Sequence, residues 1–216
     1  TIRPFIPEDV AKRSADEIEQ WAESYVLKLM DLAVELGVRV LPMFWGTAFG
    51  WEMASGYPWG FWAGGDFDLL KEGQERFVTK TAKIREQANN LGIYRCHEIH
   101  PGTGAMCADD FNMLVEICDG DKCLGVNADP SHCWEGESWE TRFRKVGDRV
   151  HACHVKNFVI RPGYPLRAMA PDWPDRAMQF VDIPSGDLDM TRYVEMLINV
   201  GYPKRYPRSW GRKRRR

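Results

Sequence analysis

Short apolar, β-branched runs alternate with longer segments of helical spacing along nearly the whole chain, and few architectures accept that order. Residues 16–36 place apolar side chains at 18, 21, 25, 26, 29, 30, 33 and 34, a helical period with Ser14 or Asp16 as candidate N-cap and Gly37 as stop. Val38 to Trp45 then reads as a strand, residues 67–90 as a helix ending before Gly92, and Ile93 to Glu98 as a strand. A helix capped by Asp109 runs to Cys118, a strand spans Leu124 to Asp129, and a helix spans Ser138 to Val146. Val150 to Val155 is a fourth strand, and residues 187–200 form a last helix stopped by Gly201. Residues 2–6 and 180–183 are candidates for further strands. Strictly alternating strands and helices imply a parallel sheet with right-handed crossovers. Two forms satisfy this, an open doubly wound sheet and a (β/α)8 barrel. No GxGxxG follows the first strand, which disfavours a dinucleotide-binding sheet. Polar residues ending successive strands favour the barrel, where each strand delivers a side chain to one common mouth.

Charge excludes one class of partner. The 216 residues carry a formal net charge of -2, but eight of the 29 basic residues lie between Lys204 and Arg216, where no acidic residue occurs. Residues 1–203 therefore hold 21 basic against 31 acidic side chains, the wrong sign for a nucleic-acid-binding body. The terminal Gly211–Arg216 run is expected to be a disordered basic tail (204–216), with residues 1–203 as the folded domain. No apolar run of about 18 residues exists to span a membrane, and the start lacks a signal-peptide pattern. The six cysteines form no CxxC pair and are too few for a disulfide scaffold, so they read as reduced thiols in a cytoplasmic protein.

All five histidines fall between residues 97 and 154, at three consecutive strand ends. These are His97-Glu98-Ile99-His100, Asp129-Pro130-Ser131-His132, and His151-Ala152-Cys153-His154-Val155-Lys156. Side chains alternate along a strand, so Glu98 and His100 share a face that His97 does not, and His154 points with Lys156. Glu98, Asp129 and His154 thus offer two carboxylates and an imidazole. Such a set suits one Mn²⁺, Mg²⁺, Co²⁺ or Zn²⁺ ion with positions open for substrate oxygens.

Glu98-Ile99-His100-Pro101-Gly102, Asn127-Ala128-Asp129-Pro130-Ser131-His132, His154-Val155-Lys156-Asn157 and Pro184-Ser185-Gly186-Asp187 occur in that order. Together they resemble the sugar phosphate isomerase/epimerase family, the xylose-isomerase-like barrels that include inosose dehydratases and relatives of endonuclease IV. The resemblance covers residues 16–203. It implies a (β/α)8 barrel with one divalent metal at its mouth, held by Glu98, Asp129 and His154. It further implies that His132 contacts substrate hydroxyls, with His100, Lys156 and Arg176 also on the substrate side. The implied reaction is isomerisation or epimerisation of a sugar, sugar phosphate or cyclitol by proton transfer next to a carbonyl, through a metal-stabilised enediolate with Glu98 as a proton carrier. Inosose-type dehydration uses the same set. Phosphodiester cleavage would need more metal ligands and suits the acidic body poorly.

Three features depart from that pattern. Asn157 stands where an aspartate is usual. No glutamate follows Glu195 to serve as the family's fourth ligand. A full barrel runs to about 250 residues, so the barrel is expected to be incomplete, with first and final strands missing. A fragment without catalysis is the competing expectation, and exposed sheet edges would make a homo-oligomer reasonable. The Trp-rich stretch from Trp45 to Trp62 is expected to cover the mouth and stack on a sugar ring.

Overall fold

A computed structural model of the chain describes residues 6–44, 69–100, 103–133, 137–163 and 177–202. Helix α1 (Glu8–Ala11) leads into α2 (Ala15–Glu35), β1 (Val40–Met43), the helix pair α3 (Leu69–Lys80) and α4 (Ala82–Leu91), and β2 (Tyr94–Glu98). Then come α5 (Ala108–Ile117), β3 (Leu124–Ala128), α6 (Trp139–Val146), β4 (Val150–Cys153), β5 (Asn157–Ile160), β6 (Met178–Val181) and α7 (Met190–Asn199).

Strands β1 to β4 form one parallel sheet in the order β1-β2-β3-β4. Each strand lies beside its successor, which is the winding of a barrel; a doubly wound sheet reverses its order at a switch point. Four such strands make half of an eight-stranded barrel, as the expectation of an incomplete (β/α)8 fold required. Strands β5 and β6 pair antiparallel as a separate ribbon, with Asn157 opposite Val181.

The main core lies between this sheet and its helices. Leu124, Val126, Ala128 and Val150 face Phe111 and Leu114 of α5, Phe143 and Val146 of α6, and Tyr193 and Leu197 of α7. Phe111, Leu124, Val150 and Tyr193 have no exposed surface, and each such side chain stabilises the fold by about 2–3 kcal/mol relative to an exposed one. A second cluster seats α2 and α4 through Met30, Ala33, Ala88 and Ile93.

Local sequence explains most boundaries. Ser14 caps α2 in a capping box with Glu17, each side chain satisfying the other's backbone N–H. Ser138 caps α6 by accepting from Thr141 N–H. Other boundaries shift. The helix expected over 67–90 breaks at Thr81, whose hydroxyl donates to the Phe77 carbonyl at 2.8 Å, the local bonding by which threonine competes with regular helix. Asp109 does not cap its helix: Cys107 holds that position, and Asp110 accepts from Met106 and Cys107 N–H, while Asp109 pairs outward with Lys145. The last helix begins at Met190, since Asp189 accepts from Thr191 and Arg192 N–H as its cap.

Between β3 and β4 the register slips, with Val126 opposite Val150 but Asn127 opposite Ala152. His151 is the extra residue of this bulge, and its ring stacks on Tyr94 at 4.0 Å between centroids. Gly125 makes room for it, because a Cβ there would lie 2.7 Å from the His151 ring.

Candidate metal centre

The candidate side chains gather where β2, β3 and β4 end. Parallel register sets Glu98 beside Asn127 across β2 and β3, and Asp129 and His154 each follow the last residue of their strands. Glu98, Asp129 and His154 offer ligand atoms all within 4.8 Å of one another. His154 Nδ1 stands 2.8 Å from Asp129 Oδ2 and 3.3 Å from Glu98 Oε2. Both carboxylates are buried, and His154 is partly open.

Each carboxylate divides its oxygens between tasks. Asp129 Oδ1 accepts from the Ser131 N–H at 2.9 Å and the Ser131 hydroxyl at 2.6 Å, as the cap of the short turn Pro130–His132. Asp129 Oδ2 faces His154 and the Lys156 ammonium at 2.5 Å. Burial acts to raise the Asp129 carboxyl, but hydrogen bonds from Lys156 and Ser131, with His132 and His154 close by, outweigh it and hold the group well below the usual carboxylate range. Glu98 Oε2 accepts from Asn127 Nδ2 at 2.9 Å, whereas Oε1 faces His132 Nε2 at 3.1 Å.

The other expected residues fall as follows. His132 lies inside the cluster, 3.7 Å from Asp129. His100 lies past the end of β2, its ring 3.9 Å from that of His132 and edge-on to Phe44. Lys156 reaches Asp129 and also sits over the Phe180 ring at 5.4 Å. His97 points the other way and is fully buried against Thr103. Arg176, the Trp45–Trp62 stretch and the basic tail lie outside the described residues. Asn157 does not join the cluster. Its amide donates to the carbonyls of Ile183 and Leu188 and accepts from Phe158 and Leu188 N–H, tying β5 to the turn before α7.

Four residues that motif reading passed over hold the site together. Asn127, Ser131, Arg142 and Tyr193 each touch a cluster residue or its backbone. Arg142, buried on α6, donates to the carbonyls of Ile99, His132 and Met106 and so fixes the loops after β2 and β3 to each other. The Tyr193 hydroxyl on α7 lies 3.0 Å from the Ala128 carbonyl and 2.9 Å from that of His154, joining the ends of β3 and β4. Asn127 alone carried a signal: it lies two residues before Asp129 and shares its face.

The donor set fits a divalent ion. Two buried carboxylates and an imidazole converge from rigid strand ends, and the buried Asn127 Oδ1 has no hydrogen-bond partner. Zn²⁺, Mn²⁺ and Mg²⁺ accept oxygen and nitrogen in such mixtures.

This half-barrel with ligand-type residues at its C-terminal mouth defines a class of protein. The chain belongs to the xylose isomerase-like TIM barrel family, whose model matches residues 11–206. Solved structures of similar fold include a xylose isomerase-like TIM barrel protein from Mycobacterium smegmatis in complex with magnesium (16% identity, TM-score 0.59, covering 85% of this chain and 58% of that one). Another is the probable 3-DHS dehydratase AsbF of petrobactin synthesis from Bacillus anthracis (19%, 0.59, 81% and 59%). A third is D-psicose 3-epimerase with D-tagatose from Clostridium cellulolyticum H10 (17%, 0.55, 90% and 57%). The chain thus spans less than two thirds of the length of these relatives. No curated protein matches it. Among the described residues no helix is long and apolar enough to cross a membrane, and all six cysteines are free.

Proposed function

We propose that Glu98, Asp129 and His154 hold one divalent cation, and that the site moves a proton at a carbon next to a carbonyl of a sugar, sugar phosphate or cyclitol, as an isomerase or epimerase. The observation that carries this reading is the division of labour within Glu98. Oε2 faces His154 at 3.3 Å, and Oε1 faces His132 at 3.1 Å. A carboxylate so placed can serve the cation through Oε2 and take a proton through Oε1. A bound cation would supply Lewis-acid polarisation of the substrate carbonyl and its neighbouring hydroxyl.

The remaining roles follow from what each side chain can donate. His132 and His100, ring against ring on one side of the cluster, offer imidazole N–H groups to substrate hydroxyls. Lys156 donates to Asp129 from a position one-third exposed, so it can turn toward substrate oxygen. Asp129 is committed through both oxygens and serves as a ligand rather than a base.

That commitment also supports a second reading. Glu98 is then the one cluster carboxylate with an oxygen turned toward a candidate substrate-side residue, Oε1 facing His132 at 3.1 Å. Epimerisation takes a proton from one face and returns one to the other, whereas one base suffices for isomerisation or for removing a proton and a hydroxyl as water. The AsbF fold likeness fits dehydration on the same site.

Incubation of the Mn²⁺-loaded chain with aldose, ketose and inosose substrates in D₂O, followed by NMR, tests the reading. Deuterium at the carbon next to the carbonyl, with an isomer or epimer formed, supports it; loss of water selects the dehydratase. No exchange in the wild type at saturating Mn²⁺ would sink both.

A further inference from the structure

We propose that Asn127 is a ligand of the same cation, its side-chain amide turning over to present Oδ1 when the ion binds. This rests on the reading of Glu98, Asp129 and His154 as a metal centre, and it adds a fourth protein donor to them.

The placement comes from strand register. Asn127 sits opposite Glu98 across the β2–β3 pair and one pleat before Asp129, so its side chain enters the cluster from between the two carboxylates. It is 1% exposed. Its Nδ2 lies 2.9 Å from Glu98 Oε2, and 3.2 Å and 3.5 Å from the two nitrogens of His154. Adjacent ligands around an octahedral ion with bonds of about 2.1 Å are separated by about 3 Å. The terminal atom of the Asn127 amide therefore occupies a ligand's distance from two of the three other ligands.

The other end of the amide supports the same assignment. Asn127 Oδ1 is buried without a hydrogen-bond partner, and a buried acceptor left unpaired destabilises the fold until something satisfies it. Without a cation, Nδ2 must face Glu98, since a carbonyl oxygen would be repelled by the carboxylate. A cation between them reverses that preference. Half a turn of the amide then brings the orphaned oxygen onto the ion and removes the unsatisfied acceptor. Amide nitrogen and oxygen have nearly the same shape, so the turn needs no movement of β3.

Mn²⁺ binding, followed by the EPR signal of the free ion, tests this in three proteins of equal thermal stability. Asn127→Ala should bind at least tenfold more weakly than wild type, and Asn127→Asp at least as tightly as wild type, since it keeps an oxygen at that position. A crystal of the wild-type chain soaked in Mn²⁺ should show the anomalous peak within about 2.4 Å of the Asn127 oxygen. An unchanged affinity in Asn127→Ala, or an ion more than 3 Å from the amide, overturns the proposal and leaves the three-residue centre standing. A wild type that binds no Mn²⁺ removes both together. If Asn127→Ala does not fold, Asn127→Asp and the crystal still decide.

Discussion

The two ends of the parallel sheet both bury charge, and they do so with opposite excess. At the N-terminal end, Arg85 and Arg95 converge on the single carboxylate of Asp121, while Arg149 donates to the carbonyls of Asp121 and Leu124. Burial pulls the Arg95 guanidinium down from its ordinary value, and Asp121 opposes that by holding it charged. At the C-terminal end, two carboxylates share one lysine and two histidines. Guanidinium groups in excess can spend their donors on backbone carbonyls, so the first cluster splices the turns before β3 and β4 into the core. Of the carboxylate oxygens in excess, Asp129 Oδ1 takes the Ser131 backbone N–H, and the others turn toward side chains of the cluster. The second cluster would, on the function proposed above, receive positive charge. The sign of the surplus, rather than burial itself, separates a fastening from a candidate site.

Four measurements bear on that contrast. Asp121→Ala strands a buried guanidinium and should lower stability by about 3–5 kcal/mol in urea unfolding, with Mn²⁺ affinity kept in the molecules that fold. Next in size is the response to acid of His97, the histidine on the opposite face from Glu98. Burial chiefly, with His100 adding to it and an Ala105 backbone bond opposing, drops its pKa from 6.5 to about 4. The unfolded chain then takes up the proton first, so stability from this residue is full above pH 6.5 and falls by about 3 kcal/mol at pH 4. His97→Asn should flatten that part of the pH profile; an unchanged slope would assign it elsewhere. Third, Mn²⁺ at one hundred times its dissociation constant should stabilise wild type and any folded Asp121→Ala by about 2.7 kcal/mol, and should leave Glu98→Gln unmoved. Equal gains in all three would mean that the ion binds elsewhere. The smallest effect is expected for Tyr193→Phe, about 1 kcal/mol from the lost hydroxyl bonds, with Mn²⁺ binding a few-fold weaker because the ends of β3 and β4 are no longer joined.

What was legible in the sequence follows the range of the interactions involved. The α2 start was readable because Ser14 and Glu17 satisfy each other within one turn. Barrel winding was readable because alternation of elements needs no knowledge of partners. Strand β5 was not: Asn157 to Ile160 pairs with residues about twenty positions on, across a proline-rich connection that hid the ribbon. The grouping of Glu98, Asp129 and His154 could be anticipated from strand ends and side-chain alternation. Their supports could not, since Arg142 and Tyr193 reach the site from helices through backbone carbonyls, which carry no residue signature. Asn127 was overlooked for a different reason. It stood inside a motif whose aspartate and histidine took all the chemical attention.

The bonds made by Asn157 bear on how this chain differs from the pattern it resembles. Its Nδ2 lies against two carbonyl oxygens, those of Ile183 and Leu188, and a Cβ on Gly186 would fall 2.1 Å from its Oδ1. An aspartate here would press a negative charge on both carbonyls, and any side chain at 186 would evict the amide. Positions 157 and 186 are thus sterically coupled in this chain. A side chain at 186 should therefore loosen the join between β5 and the turn before α7 as surely as loss of the amide itself would.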